Sequence, residues 1–211
     1  MRIEFWLDYL CPISYLTHKN LMDAIDELGL KNYELYYRSY IVNESCLVSN
    51  NDNPVIDKRG TLKSKDILEL LDREFPKYKE LPLVNTELAH ELAHLAKRND
   101  LAKEYNTLVL KSYFELGKDI SDKKVLLDIA KEIGIDYELA KQTLETKCYI
   151  KQIISNKENA LYKGIDEIPH LRVNIKNNYN KYLSKEEIKE VFSKVLNNNK
   201  KVEYCGEFCD F

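Results

Sequence analysis

The stretch that decides the fold is FWLDYLCPISYL, residues 5–16, in which an apolar run ends at a Cys-Pro pair. The alternation of apolar residues predicts a buried strand over residues 2–8. Cys11 and Pro12 then begin a helix, because proline is favoured at the first helical position, where its missing N–H would have no partner. The segment YELYYRSY (33–40) predicts a second strand. This order is typical of a βαβ unit with two parallel strands.

Most of the chain between residues 63 and 163 has helical periodicity, with expected caps at Asn85-Thr86 and at Ser121. Strand character returns in HLRVNI (170–175) and YNKYL (179–183), and the helix SKEEIKEVFSKVL follows. The ends of the chain therefore predict one α/β sheet unit, and the middle predicts a helical insertion. We expect three parts. Residues 1–62 with 149–197 form the sheet domain, residues 63–148 form the insertion, and residues 198–211 form a C-terminal tail.

The composition excludes several classes of protein. The 211 residues include 32 basic and 35 acidic ones, for a net charge of -3. This balance gives no electrostatic footprint for nucleic acid. No window approaches 18 uninterrupted apolar residues, and the N-terminus has no continuous apolar run typical of a secretion signal. We therefore expect a cytoplasmic protein with no nucleic-acid or membrane partner.

Five cysteines are scattered along the chain: Cys11, Cys46, Cys148, Cys205 and Cys209. This number and spacing do not fit a disulfide scaffold, so the cysteines are expected to be free, catalytic or metal-bound. Cys46 lies in a predicted loop and Cys148 opens a helix, and we interpret both as structural. The segment YCGEFCDF places Cys205 and Cys209 in the tail, where they could resolve a mixed disulfide, pair with each other, or be functionally silent.

Cys11 has the position of a nucleophile. A cysteine at the start of a helix faces unpaired backbone N–H groups, which favour the thiolate by about 0.3–1 kcal/mol. Pro12 and Ile13 are expected to cover the sulfur with apolar surface. Ser14, three residues further on, is near enough to hydrogen-bond Cys11. From this stretch alone, the alternative that Cys11 is a small buried residue is equally well supported.

A second stretch, GIDEIPHLRVN, places Ile168 and Pro169 between a long helix and a strand. Proline at the first residue of a strand often marks a cis peptide bond. Together with FWLDYLCPISYL, VNTELAHELAHLAKR and YFELGKDISDKKVLLDIAKEIGID, this stretch resembles the DsbA/FrnE-like family of thioredoxin-fold proteins. The chain is also similar to their relatives, the kappa-class glutathione transferases and the 2-hydroxychromene-2-carboxylate isomerases. The resemblance extends over nearly the whole chain.

The resemblance implies a thioredoxin-like α/β fold with a helical insertion, and it implies a functional site. Cys11 would be the catalytic thiol and Ser14 would polarise it. Pro12, Ile13, Ile168 and Pro169 would align the substrate, because the family's cis-proline loop lies against the active-site cysteine. No bound cofactor is implied, although glutathione or another small thiol is an expected co-substrate.

Two positions depart from the family pattern. The oxidoreductases usually have Cys-X-X-Cys, whereas Ser14 stands here in place of the second cysteine. A single thiol can form a mixed disulfide but cannot release itself within its own motif. Release then requires a substrate thiol, a small thiol, or Cys205 or Cys209. Glu167 replaces a common glycine, and a carboxylate beside the thiol would oppose the binding of glutathione.

The segment HELAH (90–94) matches the zinc-protease motif H-E-x-x-H. In that interpretation His90 and His94 bind zinc, Glu91 is the general base, and Glu115 is a third ligand. The helical period instead places both histidines on a polar arc away from the Leu88–Leu92–Leu95 stripe. We therefore interpret the match as a surface pair with no metal. His18 lies about 10 Å along the helix from Cys11 and is a poor partner for its sulfur.

The leading hypothesis is a thiol–disulfide oxidoreductase or isomerase of DsbA/FrnE type. It would act on a protein or small-molecule thiol or disulfide, with a homodimer as one expected assembly. A single motif thiol favours reduction or isomerisation over dithiol oxidation. The second hypothesis is a glutathione-dependent isomerase or kappa-class-like transferase. The third is a redox-inactive binding adaptor that uses the same groove.

Overall fold

The computed structural model describes residues 1–42 and 65–206, with side chains described as far as residue 197. Within these ranges the chain forms four strands and eight helices. The strands are β1 (Arg2–Leu7), β2 (Glu34–Ser39), β3 (His170–Val173) and β4 (Asn177–Tyr179). The helices are α1 (Pro12–Glu27), α2 (Lys65–Glu74), α3 (Glu87–Arg98), α4 (Ala102–Phe114), α5 (Lys123–Glu132), α6 (Tyr137–Thr146), α7 (Ile150–Tyr162) and α8 (Lys185–Gly206).

The four strands form one mixed sheet in the order β2-β1-β3-β4. β1 is central and runs parallel to β2, so that Phe5 lies opposite Tyr37. It runs antiparallel to β3, where Phe5 lies opposite Leu171, and β3 is antiparallel to β4. The predicted βαβ unit, helical block and ββα unit are therefore confirmed in this order.

One face of the sheet forms the main hydrophobic core. Ile3, Phe5 and Leu7 of β1 are all at most 1% exposed, and Leu171 and Val173 pair with two of them. Burial of such side chains stabilises the fold by about 1.5–3 kcal/mol each. The helices α1 and α8 pack against each other and contribute apolar side chains to this core. These are Leu21, Ala24, Ile25, Ile188, Val191, Phe192 and Val195.

The helical block shares its core with the sheet. Leu92 of α3, Val109 of α4 and Leu126 of α5 belong to the same cluster of buried residues as Phe5. Tyr9, just after β1, is fully buried in this cluster, and its hydroxyl donates a 2.7 Å hydrogen bond to Asn106 Oδ1 on α4. The insertion therefore fixes the loop that leads from β1 to Cys11.

Several predicted boundaries were wrong by a few residues. The second strand of the hairpin is Asn177–Tyr179 and not 179–183, because the turn begins earlier, with positive φ at Asn174 and Ile175. The cap of α5 is Asp122 and not Ser121, since its side chain accepts from the Lys124 N–H. The cap predicted before α3 at Asn85-Thr86 is confirmed, since the Asn85 side chain accepts from the first helical N–H at 2.8 Å.

The final helix is longer than predicted. Ser184 and Glu187 form the reciprocal capping contacts of a capping box, with 2.8 Å from Ser184 N to Glu187 Oε2. The helix then continues to Gly206, so it includes the first part of the predicted tail at 198–211. Polar composition at 197–201 did not end it, because asparagine and lysine lower helix propensity only slightly.

The other face of the sheet carries a buried carboxylate. The Glu4 side chain is 2% exposed, and its Oε1 accepts from Arg38 at 2.7 Å and from Arg2 at 3.3 Å. Its Oε2 accepts from Arg172, whose guanidinium lies 5.0 Å from the Trp6 ring. Burial alone would raise the pKa of Glu4, but hydrogen bonds from Arg38 and Arg172 lower it to about 2. This carboxylate therefore joins the three adjacent strands β2, β1 and β3.

Replacing Glu4 by glutamine is expected to lower the free energy of unfolding at pH 7 by about 3 kcal/mol, because three guanidiniums lose a buried counter-charge. The folded-state pKa is lowered from 4.5. The stabilisation is therefore present above pH 4.5 and is lost as the pH falls toward 2. Urea unfolding at pH 7 and pH 3 measures both effects. The matched control is Glu27→Gln, since Glu27 also bonds two cations, Lys185 and Lys189, but is exposed. Equal losses of unfolding free energy in Glu4→Gln and Glu27→Gln would contradict the larger stabilisation expected from the buried carboxylate of Glu4, because solvent screens the exposed pairs of Glu27.

Candidate functional site

Cys11 occupies the N-cap of α1. Its backbone is extended, with φ -82° and ψ 108°, and its carbonyl accepts the Tyr15 N–H at 3.2 Å. Its own N–H donates to the Asp8 carbonyl at 3.1 Å, and Pro12 takes the first helical position. The cysteine sulfur therefore lies at the amino end of the helix, where backbone N–H groups and the helix dipole favour negative charge.

Two polar groups of the described residues lie close to the sulfur. The Ser14 backbone N–H donates to Cys11 Sγ at 3.3 Å. The Ile168 carbonyl oxygen lies 4.0 Å from the same sulfur, at the limit of a thiol hydrogen bond. The peptide bond between Ile168 and Pro169 is cis. The structure thus brings together the two stretches that the sequence analysis singled out, which lie 157 residues apart.

The loop before Pro169 is held by neighbouring elements. The Tyr40 hydroxyl, just after β2, donates to the Asp166 carbonyl at 2.9 Å. Ile165 and Ile168 are 3% and 6% exposed and pack in the same cluster as Cys11. These contacts position the Ile168 carbonyl against the sulfur.

The role predicted for the Ser14 side chain needs correction. It is the backbone N–H of Ser14, and not its hydroxyl, that bonds Cys11. Ser14 is fully buried, and among the described residues its Oγ has no hydrogen-bond partner. A polar hydroxyl left unpaired in the interior is costly. The serine therefore stabilises the sulfur only through its backbone, which any non-proline residue at this position would supply.

Cys11 is fully buried. It lies in an apolar cluster with Trp6, Ile13, Leu16, Tyr40, Val42, Leu71, Tyr78, Ala160, Ile165 and Ile168. Pro12 and Pro169 are buried as well. The four residues predicted to bind substrate thus surround the cysteine. A disulfide can reach the sulfur only if part of this cover moves.

Sequence reasoning missed a buried pair behind the cysteine. Asp8 is fully buried, and its Oδ2 accepts the Val42 N–H at 2.8 Å. Its Oδ1 lies 3.4 Å from His90 Nε2, and the His90 ring packs against Tyr9 at 4.5 Å between centroids. Asp8 therefore connects the loop before Cys11 to the end of β2 and to α3. A charged residue inside an apolar strand was the only signal for it in the sequence.

The prediction that the histidines of HELAH form a surface pair was wrong, because α3 is covered on more than one side. His90 is 1% exposed and faces Asp8. His94 is half-buried, and its Nε2 lies 3.2 Å from Ser39 Oγ and 3.3 Å from Asn156 Nδ2. Burial and then the nearby positive groups lower the pKa of His94 to about 4. The two rings thus have different partners.

The two carboxylates of the zinc interpretation are also engaged elsewhere. Glu91 is buried, and its Oε2 accepts the Tyr149 N–H at 2.8 Å at the start of α7. Burial raises the pKa of Glu91. Glu115 accepts a hydrogen bond from the Tyr15 hydroxyl. Within residues 1–42 and 65–206, no three His, Cys, Asp or Glu side chains are grouped so that they could hold a metal ion.

Two further titratable residues named in the sequence analysis, His18 and Glu167, have shifted pKa values. His18 is buried and lies 2.9 Å from the Tyr37 hydroxyl, and burial lowers its pKa to about 3. Glu167 is half-buried, and burial and then the Asp166 carboxylate raise its pKa. The predicted conflict between its carboxylate and an anionic ligand stays a prediction.

Of the other cysteines, only Cys148 has a described side chain. It is exposed, in the turn between α6 and α7, so its predicted role as a packed structural residue was wrong. Cys46 and Cys209 lie outside the described residues. The side chain of Cys205 lies outside them as well, so the predicted resolving role of the tail stays a prediction.

A parallel βαβ unit, an antiparallel hairpin and a cysteine at a helix start facing a cis-proline define a thioredoxin-like protein with a helical insertion. The sequence model of the DSBA-like thioredoxin domain matches residues 2–195. The chain therefore belongs to this family, as the resemblance implied.

Solved structures agree with this fold. The probable DsbA oxidoreductase SCO1869 from Streptomyces coelicolor superposes with a TM-score of 0.71 at 18% identity, covering 93% of this chain and 90% of that one. A 2-hydroxychromene-2-carboxylate isomerase gives 0.67 at 14% identity, covering 96% and 99%. The cytosolic disulfide reductase DsbM from Pseudomonas aeruginosa, with GSH, gives 0.65 at 11%, covering 93% and 100%. In the described part of this chain, no helix is long and apolar enough to cross a membrane.

Proposed function

We propose that the protein is a thiol–disulfide oxidoreductase or isomerase that acts through a single cysteine, Cys11. The observation that carries this proposal is the position of Cys11 Sγ, 3.3 Å from the Ser14 N–H at a helix start and 4.0 Å from the Ile168 carbonyl. The first neighbour favours the thiolate. The second belongs to a backbone segment that an extended substrate could pair with. Family members named as oxidoreductases and disulfide reductases support the same reaction class.

The proposed reaction has two exchange steps. The Cys11 thiolate attacks one sulfur of the substrate disulfide, the substrate S–S bond breaks, and the other substrate sulfur leaves as a thiolate. In the second step another thiolate attacks the mixed disulfide and restores the Cys11 thiolate. In a reduction, a small thiol attacks the substrate sulfur of the mixed disulfide and releases the Cys11 thiolate. A second small thiol then attacks the new disulfide between the first small thiol and the substrate. The substrate disulfide is thereby reduced, and the two small thiols are joined in a disulfide. If a substrate thiol attacks, the disulfide is isomerised with no net change in oxidation state.

Because the motif has no second cysteine, the proposed reaction needs surroundings that supply another thiol. A mixed disulfide at Cys11 would be released by a thiol from outside the motif. A reducing compartment such as the cytoplasm supplies small thiols, of which glutathione is the principal candidate. Protein or small-molecule disulfides are the proposed substrates, and glutathione acts as a co-substrate without being permanently bound.

A disulfide probe tests the site directly. After incubation with a peptide joined to glutathione by a disulfide bond, mass mapping is expected to show an adduct on Cys11 that excess glutathione removes. Cys148 provides an internal control, because it is exposed and reports non-specific exchange. Low urea is expected to open the cover, which should accelerate formation of the Cys11 adduct and leave that of the Cys148 adduct unchanged. Adducts on Cys148 with none on Cys11 would contradict the proposal.

A second function is favoured by two of the structural relatives, one an isomerase and one solved with GSH. In a glutathione-dependent isomerase or transferase, Cys11 would activate the glutathione thiol and form no mixed disulfide with a peptide. Saturating glutathione would then raise the melting temperature, with S-methylglutathione giving a similar rise. A shift with both ligands and no peptide adduct would favour this function over disulfide exchange.

A further inference from the structure

Three positively charged side chains converge on one aromatic ring at the edge of the sheet. The ring is that of Tyr36 on β2. Arg2 Cζ lies 4.9 Å from its centroid, Arg38 Cζ lies 5.4 Å away, and Lys97 Nζ, in the last turn of α3, lies 5.6 Å away. Each distance is within the range of a cation–π contact. Like charges gathered around one ring repel one another unless anions balance them.

The nearby carboxylate does not balance this charge. Glu4 Oε1 already accepts from both Arg38 and Arg2, and its Oε2 accepts from Arg172. Three arginines thus share one carboxylate, and Lys97 is not bonded to it. Among residues 1–42 and 65–197, whose side chains are described, Lys97 forms no ion pair with a carboxylate. Arg38 uses only Nη2 toward Glu4, which leaves its other guanidinium donors for a ligand.

The neighbouring titratable groups respond to this excess of positive charge. Burial, followed by Arg38 and Arg2, lowers the pKa of Lys97. The pKa of the adjacent His94 is lowered by burial, then by His90, and then by Lys97 and Arg38. A neutral His94 can accept hydrogen bonds from Ser39 and Asn156, so it adds polar contacts without adding charge.

The cluster lies at a narrow cavity. Arg38, Ser39, His94, Lys97 and Asn106 are among the residues that line it, and its interior volume is about 10 Å³. This is room for about one water molecule. A larger anion would therefore sit at the mouth, between the Arg38 and Lys97 side chains, and not inside the cavity.

We propose that Arg38 and Lys97, supported by Arg2, bind the phosphate group of a small molecule. A phosphate carries up to two negative charges and several acceptor oxygens, which match a cluster of cations that a single carboxylate leaves unbalanced. Arginine supplies two parallel donors and lysine supplies a point charge, as is common in phosphate recognition. This site lies at the edge formed by β2 and is separate from the cysteine chemistry proposed for Cys11.

The test measures the melting temperature of the full chain in inorganic phosphate, glycerol 3-phosphate and sodium chloride at constant ionic strength. We expect a saturable rise with phosphate compounds and a smaller, non-saturable change with chloride. In Lys97→Gln, phosphate binding should weaken about tenfold or more, because a charge-assisted hydrogen bond is lost. The matched control is Lys131→Gln, since Lys131 is an exposed lysine in the last turn of α5.

Each outcome bears on the proposal. A larger rise with glycerol 3-phosphate assigns a phosphate monoester, and equal rises assign inorganic phosphate. Without ligand, Lys97→Gln is expected to melt at the same temperature as the wild type or higher, because repulsion is relieved. Equal rises with chloride and phosphate, or an unchanged phosphate rise in Lys97→Gln, would show that the cluster has only a structural role and would overturn the proposal.

Discussion

Replacing Cys11 by alanine is expected to reduce glutathione-dependent exchange of a disulfide peptide to the rate of glutathione alone. The proposed reaction begins with attack by the Cys11 thiolate, and no other described cysteine lies at this site. Alanine is the appropriate replacement, because serine would bury a second hydroxyl beside the unpaired one of Ser14. A quenched fluorescent disulfide peptide measures the rate.

The control is Cys148→Ala, which removes an exposed thiol in the turn between two helices. It is expected to retain the full wild-type rate. Loss of the buried sulfur in Cys11→Ala should lower the free energy of unfolding by about 1–2 kcal/mol, so urea unfolding must show that both variants are folded at the assay temperature. Full activity in folded Cys11→Ala would exclude catalysis by this residue and would favour a binding adaptor.

The parts of the fold that could be predicted from sequence are those set by local chemistry. Pro12 at the first helical position and the alternation in β1 locate the first strand and helix to within two residues. The ends of the hairpin and of α8 were less accurate, because turns and helix ends depend on a few cap contacts of similar strength. At α5 the competition between Ser121 and Asp122 was decided by one hydrogen bond.

The interpretation of HELAH failed for a different reason. A helical period identifies the most apolar side of a helix but does not show how many sides are covered. The helix α3 packs against α4, α5, α6 and α7, so the side that carries His90 and Glu91 is buried as well. Polar residues are tolerated there because Asp8 and the Tyr149 N–H are within hydrogen-bond distance of them. Partners distant in sequence leave no periodic signal.

The candidate site likewise combines features that the local sequence predicts with features that depend on tertiary packing. Cys11 and Ile168-Pro169 could be identified because each sits at the boundary of a predicted element. The direction of the Ser14 hydroxyl, the Asp8–His90 pair and the sharing of Glu4 among three arginines depend on side chains from several elements. Such arrangements follow from tertiary packing, which a single sequence does not specify.

Replacing Ser14 by cysteine is expected to shorten the lifetime of a mixed disulfide at Cys11 by at least about a hundredfold, because an adjacent thiol attacks at high effective concentration. The Ser14 N–H is 3.3 Å from the sulfur, so residue 14 already lies beside Cys11. The change should not lower stability, since the Ser14 hydroxyl has no partner to lose. Rapid acid quenching and mass spectrometry measure the lifetime in the absence of small thiols.

Ser14→Ala is the matched control. It removes the same hydroxyl without adding a thiol, and it is expected to leave the rate of exchange and the lifetime of the mixed disulfide unchanged. A reduced rate in Ser14→Ala would mean that the hydroxyl contacts the reacting sulfurs during exchange, contrary to its position in the structure. A mixed disulfide as long-lived in Ser14→Cys as in the wild type, in a variant whose two thiols both titrate before the reaction, would mean that the two sulfurs cannot meet. The requirement for a thiol from outside the motif would then result from the geometry of the helix start, and not from the missing second cysteine.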